Sequence, residues 1–296
     1  MKIRFENHLS MVIRNEMKSL CIFIHYSKFH TIPLYVKLFV SELENYFDEI
    51  VIVYNERQLN DNNQFRSSKV TTFASKNDGY DFGHFYRYYS QIDTSCYYQI
   101  ACINDSNILI NRLDHVFKWA NDSSLDFWGL LDSHEKPWFS THQNNYHIQS
   151  HFLVFNRKAI EELNNYLGQV EIEKIIEEKD PKQQRRLVID RWEIGLSNYL
   201  FSKGLNGKSY ICSEAFFINK GKYRHYRANI GYKYYKELIE AGVPVIKKKL
   251  IVDSGRKSIF RTKACWEDVI RTYGNHDWDI NGVINELKKM KHGSIR

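Results

Sequence analysis

Two short apolar runs set the frame for this chain. Residues 20–25 read Leu-Cys-Ile-Phe-Ile-His and residues 50–54 read Ile-Val-Ile-Val-Tyr. Each is too short for a buried helix and rich in apolar side chains, so each predicts a buried strand. Between them Ile32, Val36, Phe39, Leu43 and Phe47 recur at steps of four, three, four and four, the spacing of one helix face. Strand, helix and strand over about 35 residues form a βαβ unit, which joins parallel strands.

The alternation continues. Strands are predicted at 70–74, 97–103, 125–131 and 147–155, with helices near 84–92, 113–120 and 157–167. The second half is more helical, at 171–179, 185–203, 232–241, 266–273 and 280–290. This predicts an α/β fold with a Rossmann-type, mostly parallel sheet flanked by helices. No internal repeat or linker stands out. One domain with a helical C-terminal extension over 251–296, packed on the same domain, is the expected organisation.

Composition narrows the function. With 43% hydrophobic and 15% aromatic residues, a disordered chain is excluded. Lys and Arg outnumber Asp and Glu by 42 to 35. A net charge of +7 suits an anionic ligand, a membrane surface or nucleic acid without choosing among them. Acids interrupt most basic runs, which counts against a contiguous nucleic-acid face. The five cysteines, at 21, 96, 102, 212 and 265, are odd in number and lack a Cys-x-x-Cys pair. That points away from disulfides and zinc and toward a reducing compartment. No run approaches the roughly 20 apolar residues of a membrane span. Arg4, Glu6, Arg14, Glu16 and Lys18 break the N-terminus, so it does not read as a signal peptide. The expected location is the cytoplasm. The basic tail, Lys288, Lys289, Lys291 and Arg296, offers peripheral contact with the inner face of the plasma membrane.

In open α/β sheets ligands bind beyond the carboxyl ends of the strands. The groups expected there are His25 and Tyr26, then Asn55 and Glu56, then Asn77-Asp-Gly-Tyr-Asp-Phe-Gly83, then Asn104-Asp105-Ser106. Asp105 can hold a divalent cation, with Asn104 and Ser106 as further oxygen ligands, and such a cation would neutralise a phosphate leaving group. The same tripeptide also forms an ordinary Asx turn. Gly79 and Gly83 permit positive φ or close approach. Asp78 and Asp81 can accept hydrogen bonds from ribose or base. A helix starting at Gly83 or His84 presents its N-terminus to a phosphate, with Arg87 one turn in, although a plain helix cap reads the same way.

Farther along, Trp128, Asp132 and the polar loop 133–146 suit a sugar or acceptor pocket, or a core Trp beside a turn. Alternation along a strand from 147 to 155 puts His147, Gln149 and His151 on one face. A polar face on a buried strand needs partners or a ligand. Two histidines four apart on a strand are too distant for easy shared metal ligation. Asp190 and Glu193 open an apolar helix, where a carboxylate is favoured by the helix dipole and is a usable base, or simply a cap. Lys247 follows a short apolar strand and can meet a diphosphate. There is no Walker A loop, no Gly-x-Ser-x-Gly elbow, no His-Glu-x-x-His and no dinucleotide glycine fingerprint after His25. Kinase, serine hydrolase, zinc protease and NAD-enzyme readings lose ground.

Several pieces together resemble the rhamnan synthesis F family of bacterial polysaccharide glycosyltransferases. They are Asn77-Asp-Gly-Tyr-Asp-Phe-Gly83, Ile103-Asn-Asp-Ser106, Asp126-Phe-Trp-Gly129, Gln149-Ser-His-Phe-Leu-Val-Phe155, Trp192-Glu-Ile-Gly-Leu-Ser197 and Pro244-Val-Ile-Lys247, in order along the chain. The resemblance implies a GT-A-like domain over 1–250 that binds a nucleotide sugar. Such enzymes build rhamnose-containing wall polysaccharides, O-antigens of lipopolysaccharide and capsules.

The same resemblance implies that 77–83 contacts the nucleotide and that Asp105 stands where an Asp-x-Asp motif usually holds Mg²⁺ or Mn²⁺. Only one carboxylate is present there, which leaves metal dependence open. It also implies that Glu193, with Asp190 as competitor, deprotonates the acceptor hydroxyl. The mechanism expected is a single inverting displacement, with Asp105, through a metal, and Lys247 or Arg87 stabilising the departing diphosphate. The donor set is then His25, Tyr26, Asn77, Gly79, Asp81, Gly83, Arg87, Asn104, Asp105, Ser106 and Lys247. The acceptor set is Trp128, Asp132, His147 and Gln149. The partners are a nucleotide-sugar donor, of rhamnose or a galactose-type sugar, and a lipid-linked or oligosaccharide acceptor, with no nucleic acid. The rival reading is a non-catalytic polysaccharide-binding or scaffold module.

Overall fold

The computed structural model describes residues 17–26, 32–55, 65, 67–219, 221, 229–252 and 265–291. Glu56, Arg296 and most of the N-terminal segment considered above lie outside them, as does the Lys291 side chain.

Among the described residues ten strands are present: β1 Lys18–His25, β2 Glu49–Asn55, β3 Val70–Ser75, β4 Tyr97–Asn104, β5 Asn107–Leu109, β6 Phe127–Ser133, β7 His147–Ile148, β8 Phe152–Asn156, β9 Gly207–Ile211 and β10 Val245–Lys247. Eight form one sheet in the order β3-β2-β1-β4-β8-β6-β7, with β9 also paired to β6. β3, β2, β1 and β4 are mutually parallel, and β8 runs antiparallel between β4 and β6. β5 and β10 form a separate antiparallel pair. The expected Rossmann-type, mostly parallel sheet flanked by helices is therefore present.

The sheet is buried on both faces because its strands are apolar on both. In β1 the side chains of Cys21 and Phe23 join one core, with Ile50, Ile52, Ala101 and Ile103. Leu20, Ile22 and Ile24 join the other, with Val51, Val53, Ile100 and Cys102. A two-residue period on each strand thus feeds two layers. The stripe Ile32, Val36, Phe39, Leu43 and Phe47 lies wholly in the first core; the helix Leu34–Leu43 carries its middle three, and Ile32 and Phe47 flank it. Each such fully buried side chain contributes about 2 kcal/mol. The helices Trp266–Tyr273 and Ile280–Lys291 pack on that same core through Trp266, Ile270, Ile284 and Leu287. Glu286 reaches back to cap the helix Leu34–Leu43. Its Oε1 accepts from the Leu34 amide at 3.0 Å, where Pro33 offers no side-chain cap.

Three local expectations differ from what forms. The strand expected over 147–155 is two pieces, because Ser150 and His151 turn between β7 and β8. The alternation that would put His147, Gln149 and His151 on one face therefore does not run through. The helix expected from 84 begins at Tyr80, since Gly79 takes φ +72° and starts it earlier. Asp81 and Gly83 thus lie inside its first turn. Asp190 and Glu193 do not open a helix. That helical run starts at Pro181, where Asp180 caps Lys182, and both carboxylates lie in the π-helical segment Val188–Gly195.

All five cysteines are free. Among the described residues no helix is long and apolar enough to cross a membrane.

Candidate active site

The carboxyl ends of β1 and β4 are neighbours, so His25 and Asn104-Asp105-Ser106 meet as expected. Asp105 is buried, and its Oδ2 takes three donors. His25 Nδ1 lies at 2.8 Å, Tyr35 OH at 2.9 Å and Lys248 Nζ at 2.7 Å. Burial alone would raise this carboxyl. The Lys248 ammonium and His25, with their hydrogen bonds, outweigh it and hold Asp105 well below the usual carboxylate range.

Asn104 turns the other way. Its Nδ2 donates to Asp81 Oδ2 at 2.7 Å, and its Oδ1 accepts from the Ser106 amide and hydroxyl at 3.1 and 2.5 Å. Asp81 is pushed up to about 7, by burial first and then by the Asp105 charge. Glu193 adds to the shift and Lys248 opposes it. At neutral pH this carboxyl is divided between its two forms.

β10 carries Lys247 to the same place. Its register against β5 pairs Lys247 with Asn107, and the Lys248 amide donates to the Ser106 carbonyl at 2.9 Å. Both lysines are thereby tied by backbone to the residues just after Asp105. Lys247 Nζ donates to Gln149 Oε1 at 3.2 Å and lies 5.1 Å from the Tyr232 ring centroid. Burial pushes its ammonium down, and the charges of Glu193 and Glu135 oppose that. Gly231 makes room for the stem, since a Cβ there would stand 2.7 Å from Lys247 Cε.

Glu193 comes from the π-helical segment, a geometry that often marks a functional site. Its Oε1 accepts from Ser150 Oγ at 2.6 Å. Ser150 adjoins His151, whose carbonyl accepts from the Asn104 amide at 3.1 Å, and this brings Glu193 toward the cluster. His151 is buried with Nε2 unpartnered, and burial, assisted by Lys247, keeps it neutral far below the usual histidine range.

Other expected residues are engaged elsewhere. Asp190 is a fastener: Oδ1 accepts from the Thr141 amide and Oδ2 from Thr141 Oγ1, both at 2.8 Å. Arg87 grips Asp78 through Nε and Nη2 at 2.7–3.0 Å. Trp128 is a core residue, 1% exposed, packed edge-on against Phe117 and Trp119. Asp132 is fully buried and holds the Ser213 amide and Ser209 hydroxyl. His147 bonds the Asn145 carbonyl. Tyr26 and Asn77 are exposed at the edge. Gly83 allows the chain to close, since a Cβ there would stand 1.9 Å from the Asp78 carbonyl oxygen. A cavity lined by His142, Tyr166, Lys174, Arg191, Gly195 and Tyr199 includes none of the Asp105 cluster.

Tyr35, Ser150 and Lys248 join the site without having been singled out. Tyr35 sits on a helix whose periodicity reads only as core. Lys248 adjoins Lys247 in a basic run, and the turn from β10 into the helix Lys248–Val252 aims it at Asp105.

A divalent cation at such an edge is usually held by one or two carboxylates together with substrate phosphate and water. The Asp105 Oδ2 is already bound by an ammonium, and Asn104 Oδ1 is taken by Ser106. Among the described residues no group of three or more His, Cys, Asp or Glu side chains is placed to hold a metal ion. With the Lys248 ammonium in this position, the protein donors do not fit a divalent cation.

Comparison with known proteins gives one sequence match and several structural ones. The model of the family described as rhamnan synthesis protein F matches residues 50–295. No curated protein matches the chain in sequence. The glycosyltransferase GlyE of Streptococcus pneumoniae is similar at a TM-score of 0.42 and 12% identity, over 94% of this chain and 64% of its own length. 4-Diphosphocytidyl-2C-methyl-D-erythritol synthase of Anaerococcus prevotii is similar at 0.38 and 10%, over 67% of this chain and 89% of its own.

Proposed function

The chain belongs to the rhamnan synthesis protein F family, and from that premise we propose that it is a nucleotide-sugar-dependent glycosyltransferase. One observation carries the reading. Two ammonium groups, Lys247 and Lys248, and one carboxylate, Glu193, reach the same strand edge from different elements. Cations suit a diphosphate, and a neighbouring carboxylate suits the activation of a hydroxyl.

In the proposed reaction the acceptor oxygen attacks the anomeric carbon of the donor from the face opposite the nucleotide. The new C–O bond forms as the bond to the diphosphate oxygen breaks. The electron pair leaves with the nucleoside diphosphate, where Lys247 and Lys248 offset its charge. Glu193 takes the acceptor proton, and Ser150 holds its carboxylate in place. Asp81 and Asn104 face the nucleotide. The configuration at the anomeric carbon inverts.

The proposed donor carries rhamnose or a galactose-type sugar, and the acceptor is a growing cell-surface polysaccharide, lipid-linked or free. The proposed setting is the inner face of the plasma membrane, approached through the basic C-terminal residues. The test is a panel of nucleotide sugars screened by thermal shift, followed by NMR of the product. Stabilisation by one donor and an inverted product support the reading. A retained product removes Glu193 as a simple base. Polysaccharide binding with no response to any donor replaces the enzyme with a binding module.

A further inference from the structure

We propose that the Lys248 ammonium stands in for the divalent cation at Asp105, so that the chain binds its nucleoside diphosphate without metal. The inference rests on the glycosyltransferase reading and deepens it.

Geometry is the first support. Lys248 Nζ lies 2.7 Å from Asp105 Oδ2 and 3.2 Å from Tyr35 OH. This is where a bound cation would contact the carboxylate that follows β4. The position is built in. The β5–β10 pairing and the bond from the Lys248 amide to the Ser106 carbonyl fix the two backbones together. Tyr35 is in turn held by its helix, whose amino end is capped by Glu286. A side chain that wandered at the surface would show no such support.

Charge is the second. A diphosphate brings two or more negative charges to an edge that already holds Asp105 and Glu193. A metal ion would normally offset them. Here Lys247 and Lys248 come from adjacent positions and supply two positive charges. Lys247 donates to Gln149 Oε1, and Gly231 leaves space for its stem. An ammonium of this kind is fixed before the substrate arrives, and such preorganised charge needs little rearrangement in the transition state.

Unfilled hydrogen-bonding capacity is the third. Among the described residues, His25 Nε2 and His151 Nε2 are buried without a partner. His25 contacts Asp105, and the His151 carbonyl accepts from the Asn104 amide. Buried polar atoms are rarely left unpaired, so these nitrogens call for water or a ligand beside the two lysines.

The experiment is calorimetric titration of the full chain with UDP, dTDP and GDP, first in EDTA and then with Mg²⁺ or Mn²⁺. The expected result is that one diphosphate binds in EDTA and that adding the cation changes its Kd by less than about threefold. Binding that appears only with the cation, or tightens about tenfold or more, overturns the inference and leaves the transferase reading intact. No binding of any nucleoside diphosphate or nucleotide sugar, with or without metal, overturns the transferase reading and the inference with it. A second arm uses Lys248→Ala. It is expected to weaken binding in EDTA by about tenfold or more and to recover part of it with Mn²⁺, because Asp105 is then free to hold the ion. A Lys248→Ala protein that binds the diphosphate in EDTA as tightly as the natural chain also overturns it. If that variant does not fold, the comparison on the natural chain still decides.

Discussion

Lys248 Nζ and Asp105 Oδ2 lie 2.7 Å apart although 143 residues separate them in the chain. The contact closes the two-stranded β5–β10 unit onto the end of the main sheet. Asp105 is buried and Lys248 is mostly covered, so each charge relies on the other. Removing one partner of such a pair costs about 3–5 kcal/mol, because the remaining charge stays desolvated. Asp105→Asn and Lys248→Met should each lower stability to urea by a large part of that. The double variant should lose clearly less than the sum. Simple additivity of the two losses would show that the pair is not coupled.

Glu193 and Asp190 are three residues apart and should behave oppositely. Glu193 is half-buried and accepts one bond, from Ser150. Glu193→Gln should keep the melting temperature and lower kcat by about 10²–10⁴, the usual worth of a positioned base. Both Asp190 oxygens accept from Thr141 and pin the loop around it. Asp190→Asn replaces one acceptor by a donor and should cost about 1–3 kcal/mol of stability with little effect on kcat. Kinetics and thermal melts on the two variants check this, and a reversed pattern would make Asp190 the base.

Much of this was readable from the residues, for reasons of range. The β1, β2 and β4 strands and the helix Leu34–Leu43 follow from local periodicity, and periodicity acts within a few residues. Parallel pairing then brought His25, Asn104 and Asp105 to one edge. What stayed hidden depends on longer range. Asp190 and Glu193 look alike as acids in one helix, and only the distant Thr141 and Ser150 separate them. Trp128 and Asp132 suit a pocket by type, yet their neighbours make one a core ring and the other a buried clamp. Nothing in the run Lys247-Lys248-Lys249 tells which lysine turns inward to Asp105.

Gly83→Ala should damage the turn that leads from Asp78 into the helix Tyr80–Tyr89. The added methyl would stand 1.9 Å from the Asp78 carbonyl oxygen, an overlap with backbone that no rotamer relieves. The helix Tyr80–Tyr89 must shift, and with it Asp81 and the Arg87–Asp78 pair. A loss of about 3 kcal/mol is expected, at the upper end for overpacking. Gly204→Ala is a useful control. Unlike Gly83 it carries positive φ, +75°, and nothing lies within 4 Å of its added methyl, so only the backbone cost of about 1 kcal/mol applies. Urea unfolding of the two variants compares them, and equal losses would mean that the close approach at Gly83 is not maintained.

Asp81 gives the chain a pH dependence with a definite sign. Its folded pKa is raised from 3.8 to about 7, so the folded state holds a proton that the unfolded state has lost between those values. Stability from this group is therefore full below about pH 4 and falls as pH rises toward 7. The groups that set the shift are Asp105 and Glu193, which raise it, and Lys248, which lowers it. Asn at this position can still accept from Asn104 through its own amide oxygen. Asp81→Asn should therefore stabilise the chain at pH 8, by at most about 4 kcal/mol, and have little effect near pH 4. Asp105 is depressed rather than raised, so its contribution is lost only at more acid pH and does not blur this window. A diphosphate beside Asp81 would push its proton affinity higher still. Donor binding at pH 7–8 should then take up protons, which titration in two buffers of different ionisation enthalpy measures directly. Proton release on binding, or an Asp81→Asn effect independent of pH, would place the diphosphate away from Asp81.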